Sequence, residues 1–354
     1  DLTFADPTLV VGASALDEKV EALATLPREV WGTTRFCDLA RIRDILTQRK
    51  VSLEQYFVSS GHTAGIARTN TYFSSAAVVS SAMAGLDYYL FLRELLACWD
   101  ERAAEIPQRL DALVKRIFTA DELTVSFTGS ATSRERFWAA AGELGLTHSG
   151  NVEHALRVDA PTPRNEAFLI PSDVSYVARA TARSSKDLGT LGCWQVASRA
   201  LSYDYLWNEV RVKGGAYGVG FKHTAEGLCQ FWSYRDPSVD ATLARYDGAA
   251  AWLAGWDGSK DDLEGYVVAT VAAHDAPVKP RQMARRQDVQ RFGGRPDDWR
   301  DRIREQELAA TADDVRALAS ALADEDAPRG ICVFGGRDVI AKSNAGFNVV
   351  DLLS

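Results

Sequence analysis

The stretch Leu206–Trp207–Asn208–Glu209–Val210–Arg211–Val212–Lys213–Gly214–Gly215–Ala216–Tyr217–Gly218–Val219–Gly220–Phe221 leaves the chain few ways to fold. An amphipathic helix runs into it from Gly189, with Leu191, Trp194, Ala197, Leu201 and Tyr205 on one stripe. Two consecutive glycines break that helix, and a short alternating strand leaves it. Arg211 and Tyr217 are therefore expected on either side of a tight Gly214–Gly215 turn. One brings a permanent planar cation, the other a phenolic O–H. Such a pair suits an anion, or a carbonyl oxygen becoming one, and Gly214, Gly215 and Ala216 are the expected substrate-binding backbone beside it. A plainer reading stays open: Arg211 as a solvated cation at a helix end, and Tyr217 as an ordinary strand residue beside Val219, Phe221 and His223.

At 354 residues the chain exceeds one ordinary core, and 46% hydrophobic content describes a well-buried globular protein. A formal charge of -8 argues against a nucleic-acid partner, since no basic face stands out. The five cysteines (Cys37, Cys98, Cys193, Cys229, Cys332) are scattered without a C-x-x-C pair, which favours a reducing compartment. Ala-, Arg- and Asp-rich usage suggests a bacterial, cytoplasmic protein. No apolar run reaches membrane-spanning length and no signal peptide opens the chain, so no membrane partner is expected. The first residue is Asp1, which reads as a piece of something longer.

In order, residues 1–30 read as a linker with a helical stretch at Ala15–Leu26. Helices are expected over Phe36–Lys50 and Leu53–Ser59, then an extended segment at Ile66–Phe73. Ser74–Ser75 signals the cap of a helix reaching Glu101, and Pro107 opens the next. Leu123–Thr128 alternates like a strand, and Ser133–Leu144 like a helix. Pro161 and Pro163 mark a boundary, giving domains 31–160 and 161–354. Strands follow at Glu166–Ile170 and Val174–Ala182, and a hairpin at Ala216–His223 and Leu228–Tyr234. Asp236–Pro237 opens a helix, with more at Asp261–His274, Pro280–Phe292, Asp297–Ala309 and Ala312–Leu322. Ile331–Phe334 is the closing strand, with Gly335–Gly336 turning into a helix. The expected fold class is α+β, two related domains with one helix-covered sheet per half.

No metal site is legible. Glu153–His154 matches the tail of an inverted H-x-x-E-H motif, but Gly150 stands where its first histidine belongs, and His148 is two residues too early. Arg281, Arg285, Arg286 and Arg291 make a basic run that reads as a solvated face. No G-x-S-x-G elbow places a nucleophile.

Several runs together resemble the pitrilysin/insulinase superfamily of zinc metallopeptidases, in its presequence-protease branch. They are Ile170–Pro171–Ser172 with Val174–Tyr176–Val177, then Leu201–Trp207, Val210–Gly218, and Ser233–Tyr234–Arg235–Asp236–Pro237. Upstream, Tyr72–Phe73–Ser74 and Gly85–Leu86–Asp87–Tyr88–Tyr89 fit the same family. The resemblance covers roughly residues 35 to 350. It implies a clamshell of two halves, each of two related α/β domains, with this chain as the carboxyl-terminal half. Zinc and its catalytic glutamate would belong to the missing amino-terminal half, which becomes a partner. Arg211 and Tyr217 match the arginine and tyrosine that reach the scissile peptide. The implied function is endopeptidase action on unstructured peptides, with this chain inactive alone. A non-catalytic peptide-binding or scaffold subunit of the same fold is the alternative.

Overall fold

The structure is a computed structural model that describes residues 2–5, 7–121, 123–142, 144–150, 156–183 and 188–353. Its strands are β1 (Leu2–Ala5), β2 (Leu156–Asp159), β3 (Asn165–Leu169), β4 (Ser175–Ala182), β5 (Gly218–His223), β6 (Leu228–Tyr234), β7 (Arg329–Gly335) and β8 (Asn348–Asp351). β1 and β2 form a two-stranded antiparallel ribbon, and the other six form one mixed sheet in the order β5-β6-β4-β7-β3-β8. β3 runs parallel to both β7 and β8, while the remaining pairs are antiparallel. The chain is thus α+β, with helices covering a mixed sheet.

The central strands read as nearly continuous apolar runs because both faces of the sheet are covered. After α1 (Ala22–Thr33), the helices α2 (Leu39–Ser59), α3 (Gly61–Asn70), α4 (Ser75–Ala84) and α5 (Leu86–Ala97) follow in order. They form the layer on one face, where Leu53, Phe57, Tyr72, Tyr89 and Leu92 pack on Phe168, Ile170, Tyr176 and Phe334. The opposite face is covered by helix Leu191–Ala200 and its continuation, through Trp194, Ala197, Leu201 and Leu206 against Val177, Phe231 and Val333. Helices from residues 39–97 and strands after residue 165 therefore share one core. A third, smaller cluster joins α1 to helix Ala131–Ala141 through Ala24, Phe137 and Ala141.

Two expected strands do not form. Residues 66–70 finish α3, and 123–128 join no ladder. In the first case apolar Ile66 alternates with polar neighbours, but the helix buries Ala64, Gly65, Arg68 and Thr69 together against the sheet. The expected break between Lys50 and Leu53 is absent, and α2 is continuous. Ser74 caps α4 by accepting from the Ala77 N–H, as its position implied. Contrary to the reading of the sequence, Ser75–Ala97 is long and apolar enough for a membrane span. It is divided at Gly85, and α5 buries Leu86, Tyr89, Leu92 and Leu95.

A charged cluster fastens the helical layer to the sheet. Arg68 of α3 holds Glu166 of β3 through Nε at 2.6 Å and Nη2 at 2.9 Å, and meets Asp87 at 3.1 Å. The Tyr72 hydroxyl donates to Glu166 at 2.8 Å. Burial pushes the Glu166 carboxyl up, but the Arg68 bonds and charge outweigh it and leave the group below the ordinary glutamate value. The folded state thus holds the carboxylate more firmly than the unfolded chain does. That contribution is present at neutral pH and is lost as pH falls through the depressed folded value. Glu166→Gln strands a buried guanidinium, so it is expected to lower unfolding free energy by about 3–5 kcal/mol in urea titration. The double variant Arg68→Met/Glu166→Leu should lose less than Glu166→Gln alone; a larger loss would refute this account of the cluster.

Candidate functional site

Helix Leu191–Ala200 continues as a wide π-helix over Leu201–Val212. Its buried residues, Leu201, Leu206 and Val210, follow at steps of five and four, broader than the α-helical three-and-four step. The Lys213 N–H bonds to the Asn208 carbonyl at 3.0 Å, five residues back. π-turns are rare and concentrate at functional sites. Here the widening carries the helix to the glycines with Trp207 and Arg211 one turn apart on the surface.

The turn is tied back on that helix. Gly215 N–H bonds to Arg211 O at 2.9 Å, and Ala216 N–H to Val210 O at 3.2 Å. Gly215 has φ +85, which disfavours any side chain. A Cβ on Gly214 would overlap the Val210 carbonyl and the Arg245 guanidinium. Ala216 is buried in the core. Of the three expected substrate-binding residues, then, Gly214 and Gly215 shape the turn and the Ala216 methyl anchors it beneath the surface.

Arg211 and Tyr217 do come together. The Arg211 guanidinium lies 3.8 Å from the Trp207 ring centroid and 5.6 Å from that of Tyr217. Among the described residues no ion pair or hydrogen bond engages that guanidinium or the Tyr217 hydroxyl. Cation–π support of this kind orients an arginine without consuming its N–H donors. Tyr217 is 67% exposed. The expectation that it shares a face with Val219, Phe221 and His223 is corrected, since those three are buried. The ladder begins only at Gly218, paired with Tyr234, while the Tyr217 N–H points at the carbonyls of Tyr234 (3.0 Å) and Arg235 (3.3 Å). Tyr217 therefore stands edge-on to the Tyr234 ring, at 5.9 Å. Behind Tyr234 lie His62, Tyr176 and Trp232.

β5 is a sheet edge, and Ser202 covers part of it by accepting from Phe221 N–H at 3.0 Å. A cleft of about 700 Å³ runs beside it, lined by Ser202, Trp207, Gly220, Lys222, Arg286 and Glu307 among others. Arg286 thus faces a cleft, whereas Arg281, Arg285 and Arg291 are exposed. No three His, Cys, Asp or Glu side chains among the described residues are grouped to hold a metal. Glu153 and His154 lie outside the described residues. All five cysteines are free thiols. Sequence reasoning singled out neither Trp207 nor Arg235 as site residues, although both stand in the runs that carried the family resemblance.

Comparison with known proteins decides the family. The profile described as PreP C-terminal domain matches residues 165–333. A second profile, for the region associated with subfamily C of peptidase family M16, matches residues 1–95. The chain belongs to the presequence-protease family. It is 28% identical over 351 residues to presequence protease 1, chloroplastic/mitochondrial, of Arabidopsis thaliana, covering 97% of this chain and 32% of the relative. It is 26% identical over 348 residues to Protein HypA of Clostridium perfringens, covering 97% and 35%. The chain therefore spans about a third of the length of these curated relatives. Pitrilysin superposes with a TM-score of 0.62 at 14% identity, over 99% of this chain and 38% of that one. A peptidase M16 inactive domain from Pseudomonas fluorescens gives 0.56 at 17% identity, over 90% and 75%. The chain is like the carboxyl-terminal half of a presequence protease.

His223, expected on the Tyr217 face, is instead a core residue of this family member. It stacks on Trp194 with centroids 4.6 Å apart, and Arg183 Nη1 is 3.3 Å from its Nε2. Burial, then the Arg183 charge, pushes its pKa down to about 4. The folded state resists protonation that the unfolded chain accepts, so stability present above the ordinary histidine value is lost as pH falls toward about 4. Melting temperature measured across pH 4–7 should fall less steeply for His223→Phe than for the wild type, to an extent set by one histidine (about 1.4 kcal/mol per pKa unit). Equal slopes would contradict the buried neutral histidine.

Proposed function

We propose that this chain is the carboxyl-terminal half of a zinc-dependent endopeptidase that degrades unstructured peptides, closing the chamber over the substrate. The observation that carries the reading is the uncompensated Arg211 guanidinium beside the exposed Tyr217 hydroxyl, at a turn whose backbone is fixed. Both offer donors to a carbonyl oxygen as it gains charge, and a preformed donor costs no reorganisation at that moment. Trp207 joins the pair to the cleft beside β5, which gives an extended peptide a path away from it. The zinc and its glutamate are assigned to the amino-terminal half, as a partner of this chain. The groups described here supply no metal ligands, and their part is to bind, orient and stabilise. Closure of the two halves would exclude water from the oxygen being polarised.

A scaffold subunit has no use for an unpaired arginine held against a phenol at the surface, which favours the catalytic reading over the scaffold. The test is hydrolysis of an unstructured peptide by this chain alone, by the zinc-loaded upstream half alone, and by the two mixed. The mixture is expected to cleave and each half alone to be inert. Tyr217→Phe should lower kcat on the order of a hundredfold or more, as for a lost oxyanion donor. A fully active mixture that is indifferent to Tyr217→Phe and Arg211→Gln would reduce this half to a lid. Hydrolysis by this chain alone would overturn the division of labour.

A further inference from the structure

Cations and rings alternate along one strip of the surface. Arg211 lies 5.6 Å from the Tyr217 centroid, Tyr217 is 5.9 Å from Tyr234, and the Arg235 guanidinium is 5.6 Å from Tyr234. Trp207 backs one end of the row and Tyr176 the other. Arg235 holds a backbone that its side chain disfavours. Its φ is +50, in the left-handed region, where glycine or asparagine would sit at less cost. Only one other non-glycine among the described residues, Leu144, does the same.

The neighbours of Arg235 over-determine that conformation. Its carbonyl accepts from the Tyr217 N–H at 3.3 Å. The next residue, Asp236, exchanges backbone bonds with Ser175 at 2.7 and 2.8 Å. The Asp236 carboxylate is fully buried and accepts from Ser238 N–H at 2.9 Å and Thr242 Oγ1 at 2.7 Å. It is therefore occupied and turned away from the strip. Arg235 gives one bond to the Tyr176 phenol and, among the described residues, forms no ion pair. The rest of its fork is exposed to solvent. Strain retained around a polar side chain is a reason to ask what that side chain does. A fork with free parallel donors matches a carboxylate, which it binds with two bonds.

We propose that Arg235 is a further peptide-positioning residue, which takes a carboxylate of the bound peptide on the segment lying over Tyr217 and Tyr234. The inference rests on the peptidase reading above and adds a substrate preference to it: peptides with an acidic side chain, or their own carboxyl terminus, near the scissile bond. Arg211 lies close enough to the reacting carbonyl to serve chemistry. Arg235, two rings further along, serves binding, and its loss should appear in KM more than in kcat.

The test uses the full-length, zinc-loaded protein that contains this chain, with Arg235→Gly and Arg235→Lys variants. Substrates are one peptide carrying a glutamate near the cleaved bond, its glutamine version, and the same two peptides with an amidated carboxyl terminus. Glycine fits φ +50, so Arg235→Gly should melt no lower than the wild type. It should raise KM for the responsible carboxylate roughly ten- to hundredfold, as for a lost hydrogen bond to a charged group. Peptides without that carboxylate should respond much less. The glutamine and amide arms tell a side-chain carboxylate from a terminal one, and Arg235→Lys should recover part of the loss. An unchanged KM, or a rise equal for all four peptides, would overturn the proposal while leaving the peptidase reading intact. A wild-type protein that neither binds nor cleaves any of the four overturns both.

Discussion

Two backbone hydrogen bonds, from Gly215 to Arg211 and from Ala216 to Val210, reverse the chain between the wide helix and β5. Everything at the site is referred to that reversal. Val210 and Ala216 are buried in the main core, so the bonds are shielded and the turn moves only with the sheet. Arg211, bonded through its own carbonyl, cannot drift from Tyr217 without breaking the turn. The sheet is in turn held between two helical layers, one of them fastened through Arg68 and Glu166. A site on a sheet edge gains its precision from that confinement, since no flexible loop intervenes.

The electrostatics follow from what supports each cation. Arg68 is buried and answered by two carboxylates, which makes it structural. Arg211 and Arg235 are answered by aromatic rings, which orient a guanidinium but leave its donors unused. Charge that is placed and left uncompensated is available to a ligand. The same distinction separates Tyr72, whose hydroxyl is spent on Glu166, from Tyr217, whose hydroxyl faces solvent.

Much of this was legible in the sequence, for local reasons. The double glycine, the hairpin from 216 to 234 and the apolar strands 166–170 and 331–334 are governed by neighbours a few residues away, and they stand in the structure. What was not legible depends on distant partners. Residues 66–73 carry a short mixed pattern that either period accommodates, and only packing of Arg68 on Glu166 makes it a helix. Periodicity likewise does not say that the helices of residues 39–97 would cover a sheet built after residue 165. Strand alternation placed Tyr217 with Val219, but the ladder starts one residue later and turns it outward. Arg235 was readable as part of a motif, whereas its left-handed backbone was not.

The central claim is that the Arg211 and Tyr217 donors converge on the oxygen of the bond to be cleaved. The most direct measurement is a crystal structure of the closed full-length protein, with its catalytic glutamate in the other half disabled and an uncleaved peptide bound. The account predicts the scissile carbonyl oxygen at about 2.7–3.1 Å from the Tyr217 hydroxyl or an Arg211 nitrogen. A peptide whose scissile carbonyl faces neither residue, with Arg211 still stacked on Trp207 and unengaged, would contradict it.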